Sequence, residues 1–220
     1  MRNLLLAVLF LGVSVVNAQQ RNCGTMQNLE YLKSQDSQLE NKILQNERHL
    51  QSWIQSNMLS ESVNNTIITI PVVVHVVWNN TNENISQAQI QTQIDILNED
   101  FRRLNDDTVN TPIPFQSVAA DCKIEFCLAS VDPDGNPTDG ITRTNTNQSS
   151  FSTNNNVKYS SSGGIDAWNT DKYLNMWVCD LSGGLLGYAQ FPGGNSTSDG
   201  VVCDYAYFGS IGSASPPFNN

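Results

Sequence analysis

Residues 67–78, reading IITIPVVVHVVW, constrain the fold of this 220-residue chain more than any other stretch. β-Branched side chains are stiff at χ1 and suit a pleated backbone, and here both alternating faces are apolar, as in a strand buried on both sides. Such a strand needs neighbours on its edges and cover above and below. Pro71 has no N–H to give a ladder and marks the start of the strand or a bulge in it. Next come Ser86 and Gln89 at capping-box spacing, with Ile85 and Ile90 placed as the matching hydrophobic staple. Ile90, Ile94, Leu97, Phe101 and Leu104 then recur at the spacing of one helical face, so a helix is predicted over 86–105. Arg102 and Arg103 fall in its last turn, where cations suit the helix dipole.

Four further segments read as strands. Residues 122–130 (CKIEFCLAS) alternate, and 173–181, 185–191 and 200–208 follow, punctuated by Gly183-Gly184 and Pro192-Gly193-Gly194. Asp132-Pro133-Asp134-Gly135 is turn chemistry. Residues 144–164 form an Asn/Ser/Gly tract poor in apolar side chains and are expected to be an exposed loop. The fold class is therefore α+β: a twisted, mixed, five-stranded sheet with one helix packed on a face. No internal repeat is present.

The N-terminus has a different character. Met1-Arg2-Asn3 is a short positive start, 4–16 is apolar-rich, and Val16-Asn17-Ala18 offers small residues for a signal peptidase, so 1–18 reads as a secretory signal. That apolar run is too short to span a bilayer comfortably, and no other stretch is long enough, so no membrane contact is expected beyond the signal. The product is expected to be secreted, either extracellular or periplasmic. Residues 19–66 are a polar leader in which Leu39, Ile43, Leu50, Trp53 and Ile54 share one thin helical stripe, expected to lean on another surface. Residues 60–65 read as a linker. With 21 acidic and 11 basic residues the formal charge is −10, which argues against a nucleic-acid or anionic-membrane partner. Export makes disulfides permissible, but the cysteines (Cys23, Cys122, Cys127, Cys179, Cys203) are odd in number, so at least one is free, metal-bound or paired elsewhere. Cys179 with Cys203 and Cys122 with Cys127 are the pairings left open.

Few residues are candidates for chemistry. The chain has two histidines, so it cannot build a three-histidine metal site alone. His75 lies in the buried strand and reads as a hydrogen-bonded core residue; no G-x-S-x-G supports a serine hydrolase around it. His49 sits among charges in the leader and is expected to be solvated. Asp132, Asp134 and Asn136 alternate as in a calcium loop, but glycine comes at the fourth place and Arg143 stands where a bidentate Glu belongs, so calcium is left open. There is no Gly-rich phosphate loop and no C-x-x-C. Cys23, in Arg21-Asn22-Cys23-Gly24-Thr25, stands far from the other cysteines. It is a disulfide partner, an incidental thiol, or a thiolate offered to a metal. A basic neighbour favours the thiolate and the glycine permits close backbone approach.

Taken together, several blocks resemble the pappalysin family of metzincin zinc metallopeptidases, the ulilysin and pregnancy-associated plasma protein A group. They are 70–78 (IPVVVHVVW), 97–105 (LNEDFRRLN), 124–129 (IEFCLA), 140–143 (GITR), 174–179 (LNMWVC), 186–192 (LGYAQFP) and 199–202 (DGVV). The resemblance covers 21–36 and 67–210, and rests on the order and spacing of the blocks. It implies a secreted endopeptidase made as a latent precursor and acting on protein or peptide substrates. Its zinc would be held by the three histidines of an H-E-x-x-H-x-x-G-x-x-H helix. This sequence contains no such motif. The resemblance thus implies a signal (1–18), a pro-segment (19–66) and an incomplete upper part of the catalytic domain (67–220), inactive by itself and with apolar sheet left exposed. By resemblance Cys23 is the latency ligand of the zinc. Leu185, Leu186, Gly187, Tyr188, Ala189 and Gln190 form the rim strand that pairs with substrate, chiefly through the backbone of Gly187 and Ala189. No Lys or Arg lies between Arg48 and Arg102, which puts self-cleavage after a basic residue at the leader junction in doubt. Two rivals stand beside this reading. One is a secreted non-catalytic binding module using exposed aromatics such as Tyr188, Tyr205 and Tyr207; the other is a pseudoprotease competing through its rim strand.

Overall fold

The structure is a computed structural model that describes residues 22–57, 66–214 and 216. The signal at 1–18 and the linker at 60–65 lie outside the described residues. Among the described residues there are four α-helices: α1 (Thr25–Gln35), α2 (Leu39–Asn57), α3 (Gln87–Phe101) and the single turn α4 (Ile113–Gln116). Seven strands of the described residues form one mixed sheet: β1 (Asn22–Cys23), β2 (Ile68–Trp78), β3 (Ile124–Leu128), β4 (Ile141–Asn145), β5 (Leu174–Cys179), β6 (Leu185–Ala189) and β7 (Val201–Asp204). The spatial order is β1-β6-β7-β5-β2-β3, with β4 also on β2. Every pairing is parallel except β6 with β7.

The expected five strands are all there, and the sheet gains two. β1 is two residues of a polar leader, too short to show a period. β4 (ITRTN) has one apolar side chain and so no alternation to read.

β2 is the axis of the sheet. One edge is shared in sequence by β3, along Ile68 to Val72, and β4, along Val74 to Trp78; the amide of Val74 donates to Gly140 O at 2.8 Å where they change over. The other edge pairs with β5 from Val72 to Val76. Period-two alternation sends Val72, Val74 and Val76 into a core with Ile90 and Ile94 of α3, Phe126, Met176, Val178 and Phe208. Val77 goes to the opposite core with Phe151, Val157, Trp177, Leu181, Tyr188 and Val202. Each fully buried Val or Ile contributes about 1.5–3 kcal/mol relative to exposure.

Both faces of β2 are therefore closed from Val72 to Val77, and among the described residues the exposed apolar sheet that was expected is limited to its start, where Ile68 is open to solvent. The second face is covered by 144–164, the tract expected to be a loose loop. Phe151 and Val157 anchor it, while Thr146, Asn155 and Lys158 are buried with hydrogen-bond partners. Its polar composition hid this because few apolar anchors suffice when the buried polar groups are satisfied. Exposed apolar side chains gather instead at 104–118, where Leu104, Val109, Ile113 and Phe115 are open to solvent.

Helix α3 starts as read and stops earlier. Ser86 Oγ accepts the amide of Gln89 at 3.1 Å, but the Gln89 side chain does not reach back; it donates to Phe208 O at 2.9 Å and accepts Ser213 N at 3.0 Å. The box is half made and its other half ties the helix to 205–213. The helix ends at Phe101 because Arg103 takes a left-handed φ of 53°, which leaves Leu104 outside the periodic face. Arg102 is not merely a dipole cation: it ion-pairs with Asp121 at 3.0 Å and with Glu125. In α2 only Leu39 of the stripe is buried, while Leu50, Trp53 and Ile54 are exposed, so the helix leans on the body at its N-terminal end alone. Among the described residues no helix is long and apolar enough to cross a membrane.

Candidate functional site

Strand β6 has β7 on one edge, antiparallel, and the leader strand β1 on the other, parallel. Asn22 lies opposite Leu185 and Cys23 opposite Gly187, with a shift of register between them. The leader then leaves the strand but stays bonded: Gly24 N donates to Gly187 O at 2.8 Å, and Ala189 N donates to the Thr25 hydroxyl at 3.2 Å. The backbone groups expected to meet an added peptide, on Gly187 and Ala189, thus meet the chain's own leader.

Two glycines permit close approaches here, Gly187 of β6 to β7 and Gly24 of the leader to the body. A Cβ on Gly187 would lie 2.5 Å from Val202 O, and one on Gly24 would lie 2.6 Å from the Thr153 methyl and 3.1 Å from Leu185. Leu185, Leu186 and Ala189 are half-buried. Tyr188 is 2% exposed, so its ring belongs to the core, and it is withdrawn from the exposed aromatics that motivated a binding module. Gln190 lies just past the strand and holds the following loop, donating to Asn195 O at 3.0 Å and accepting the Ser198 hydroxyl at 2.8 Å.

Cys23 is exposed, with its Sγ donating to Thr25 Oγ1 at 3.3 Å. The Thr25 side chain, and then its backbone amide, favour the thiolate and bring the thiol below its ordinary pKa, against a small opposing effect of burial. A lowered pKa is what a ligand or nucleophile sulfur requires. Arg21, the neighbour first credited with this, lies outside the described residues.

The two histidines are as far from chemistry as they read. His75 is fully buried, bonded to Thr142 and Asn175, and His49 is exposed on α2. Asp132 is spent on a turn, its Oδ1 accepting Asp134 N at 3.0 Å and Asn136 N at 2.8 Å. The described residues contain no group of three or more His, Cys, Asp or Glu able to hold a metal ion. A zinc ligand set is therefore not furnished by these residues, and no catalytic step follows from them. All five cysteines are free. Cys203 stands opposite Val178 across β5–β7, so Cys179 and Cys203 point to opposite faces and do not pair.

Two residues of the site carry no signal in the sequence. Asn28 is fully buried where α1 meets the body, donating to Thr153 O at 2.7 Å and to Asn155 Oδ1 at 3.0 Å. Lys158, also fully buried, donates to Ser198 O at 2.6 Å with its ammonium 5.2 Å from the ring centres of both Trp177 and Tyr188. It packs against β6 through Tyr188.

Comparison with solved structures places this architecture. A structure of mature mirolysin from Tannerella forsythia, in complex with a cleaved peptide, matches 70% of this chain at 55% identity and a TM-score of 0.68. A second, mirolysin in complex with a compound, matches 70% at 56% identity and a TM-score of 0.67. In each case 59% of the mirolysin chain is covered. A promirolysin mutant from Tannerella forsythia matches 91% of this chain at 48% identity and a TM-score of 0.74, with 64% of its own length covered. The chain thus spans less than two thirds of the length of these relatives. No protein-family model matches it, and no curated protein matches it.

Proposed function

We propose that this chain is the leader and upper half of a secreted, latent zinc endopeptidase of the pappalysin type. Its structural neighbours are mirolysin and promirolysin, metallopeptidases of the metzincin type at 48–56% identity. The match rises from 70% of this chain against mature mirolysin to 91% against the pro-form, in keeping with a leader that belongs to the precursor.

The observation that carries the reading is β1 on the free edge of β6. An extended peptide added to a sheet edge gains backbone hydrogen bonds, and here the leader takes Gly187 O. A peptide substrate would use the same edge, so leader and substrate exclude one another. Cys23, exposed on that segment with its thiol pKa lowered, is the group we assign as the latency ligand of zinc. Bound zinc in such enzymes polarises the water that attacks the amide. Its histidines would have to come from outside these 220 residues, so the 220-residue chain is proposed to be inactive. Secretion rests on the segment 1–18.

The test is a peptide-cleavage assay with zinc on the 220-residue chain and on a version extended by whatever its gene encodes past Asn220. We expect no turnover from the first, and zinc-dependent turnover from the second once its leader is removed. Zinc-dependent cleavage by the 220-residue chain would sink the ligand argument, and an extended product with no activity would sink the enzyme reading.

A further inference from the structure

We propose that the body carries a second docking site for the leader, a pocket that accepts the carboxamide of Asn28 and holds the leader against β6 without any metal. The inference rests on reading this segment as a leader, and not on the zinc.

Asn28 lies in the first turn of α1, its amide bonded to Gly24 O at 2.9 Å. It is the one residue of α1 that is buried, at 0% exposure, in a helix otherwise half-buried or open. Both hydrogens of its Nδ2 are used, one on Thr153 O and one on Asn155 Oδ1. Both acceptors belong to the body, while the buried Oδ1 of Asn28 meets no hydrogen-bond donor among the described residues, so the pocket is matched to the two donors and not to the oxygen.

The backbone of the loop that carries these acceptors is held by the body. Asn155 is 2% exposed and sits at a left-handed φ of 63°. Its carbonyl accepts Lys158 N at 2.9 Å, and Phe151, at the base of the same loop, bonds to Asp180 O and Ser182 N at 2.9 Å each. Lys158 and Phe151 are themselves buried. The pocket presents two acceptors, and so selects a side chain with two donors on one nitrogen. A primary carboxamide on a helix meets this; a carboxylate or an alkyl group does not. Thr153 also contacts the leader at Gly24, the close approach described above, so one loop fixes both the strand end and the helix start.

Among the described residues the Cys23 thiol has no hydrogen-bond partner in the body; its sulfur bonds within the leader, to Thr25. What registers the leader on β6 is therefore backbone pairing plus the Asn28 pocket, five residues beyond the thiol. Removing zinc, or the thiol, leaves the leader docked.

The experiment is amide hydrogen exchange on the 220-residue chain with a chelator present, following Gly24, Ala189 and, as a core reference, Val74. Wild type and Cys23→Ala are expected to protect Gly24 and Ala189 equally. Asn28→Ala is expected to speed exchange at both by tenfold or more while Val74 is unchanged. Two further variants keep the outcome decisive. Asn28→Asp retains the shape and loses the donors, and Asn155→Gly tolerates the left-handed backbone and loses the acceptor; both are expected to reproduce the local loss. The proposal is overturned if Cys23→Ala or the chelator alone frees these amides. It is equally overturned if Asn28→Asp speeds Val74 as much as Ala189. Because no readout involves turnover, an extended product without peptidase activity would refute the proposed function and leave this result standing.

Discussion

Nε2 of His75 lies 2.9 Å from Oδ1 of Asn175, an oxygen that also accepts the amide of Trp168 at 2.7 Å. The Asn175 amide nitrogen is spent on the Trp168 carbonyl at 3.0 Å, which fixes Oδ1 as the acceptor. His75 therefore carries its proton on Nε2, and Nδ1 accepts the Thr142 hydroxyl at 2.7 Å. A second proton, on Nδ1, would require the Thr142 hydroxyl to turn and accept. Burial lowers the pKa to about 4 from 6.5, the Asn175 bond opposing only in part. Between these values the unfolded chain binds a proton that the folded chain refuses. The stability this gives is complete above pH 6.5 and is lost as pH falls towards 4, by up to about 3 kcal/mol. Urea unfolding across that window, with the His75 ring followed by NMR, checks it; a ring that titrates near 6.5 refutes it.

Gly187→Ala is expected to cost about 1–3 kcal/mol, because the new methyl meets a backbone carbonyl that cannot move aside as a side chain would. The strain falls between β6 and β7 and should also release the leader. Urea midpoints read the first effect. Faster exchange of the Gly24 amide reads the second.

Thr25 has two duties, holding Ala189 and lowering the Cys23 pKa. Thr25→Val is expected to shift the pH profile of Cys23 alkylation upward and to weaken protection at Ala189, while Cys179, buried in the core, stays unreactive until unfolding. Mass spectrometry of iodoacetamide adducts over a pH series measures all of this at once. An unchanged alkylation profile would remove Thr25 from the account.

Lys158 should tolerate loss of charge better than loss of bulk. Lys158→Met keeps the stem beneath Trp177 and Tyr188 and is expected to change stability by less than about 1.5 kcal/mol at neutral pH, since shedding the desolvation cost offsets the lost Ser198 bond. Lys158→Ala opens a cavity and should cost about 2–5 kcal/mol. Burial brings the Lys158 pKa down to about 8 from 10.5, so wild type should gain on Lys158→Met as pH rises through that interval. Denaturation at two pH values separates the three proteins.

Much of this architecture was readable in advance, and the limits have physical causes. β2 is legible because a strand covered on both faces must be apolar on both, and α3 begins where Ser86 can cap it. The end of α3 is not legible, since Leu104 continues the period and only the φ of Arg103 breaks it. The strand at 185–191 and the isolated Cys23 were legible in the residues and their rim and latency roles came from resemblance, whereas their pairing through β1 depends on two polar residues with no pattern. Asn28 and Lys158 could not be picked out, because burial of one asparagine or one lysine is decided by tertiary partners distant in the chain. The tract 144–164 misled for the same reason: composition reports solubility, and its few anchors decide where it lies.

The place of β2 in the sheet also sets a clock. Made early, it pairs with β3, β4 and β5, whose last member ends at Cys179, roughly a hundred residues further on. At a synthesis rate of about 5–20 residues per second, this apolar strand waits on the order of 5–20 s before the last of its edge partners exists. Pairings so distant in sequence also fold slowly once the chain is complete. A nascent chain of this kind spends that interval with a sticky strand on offer, and its yield in a cell will depend on what shelters those eleven residues until β5 arrives.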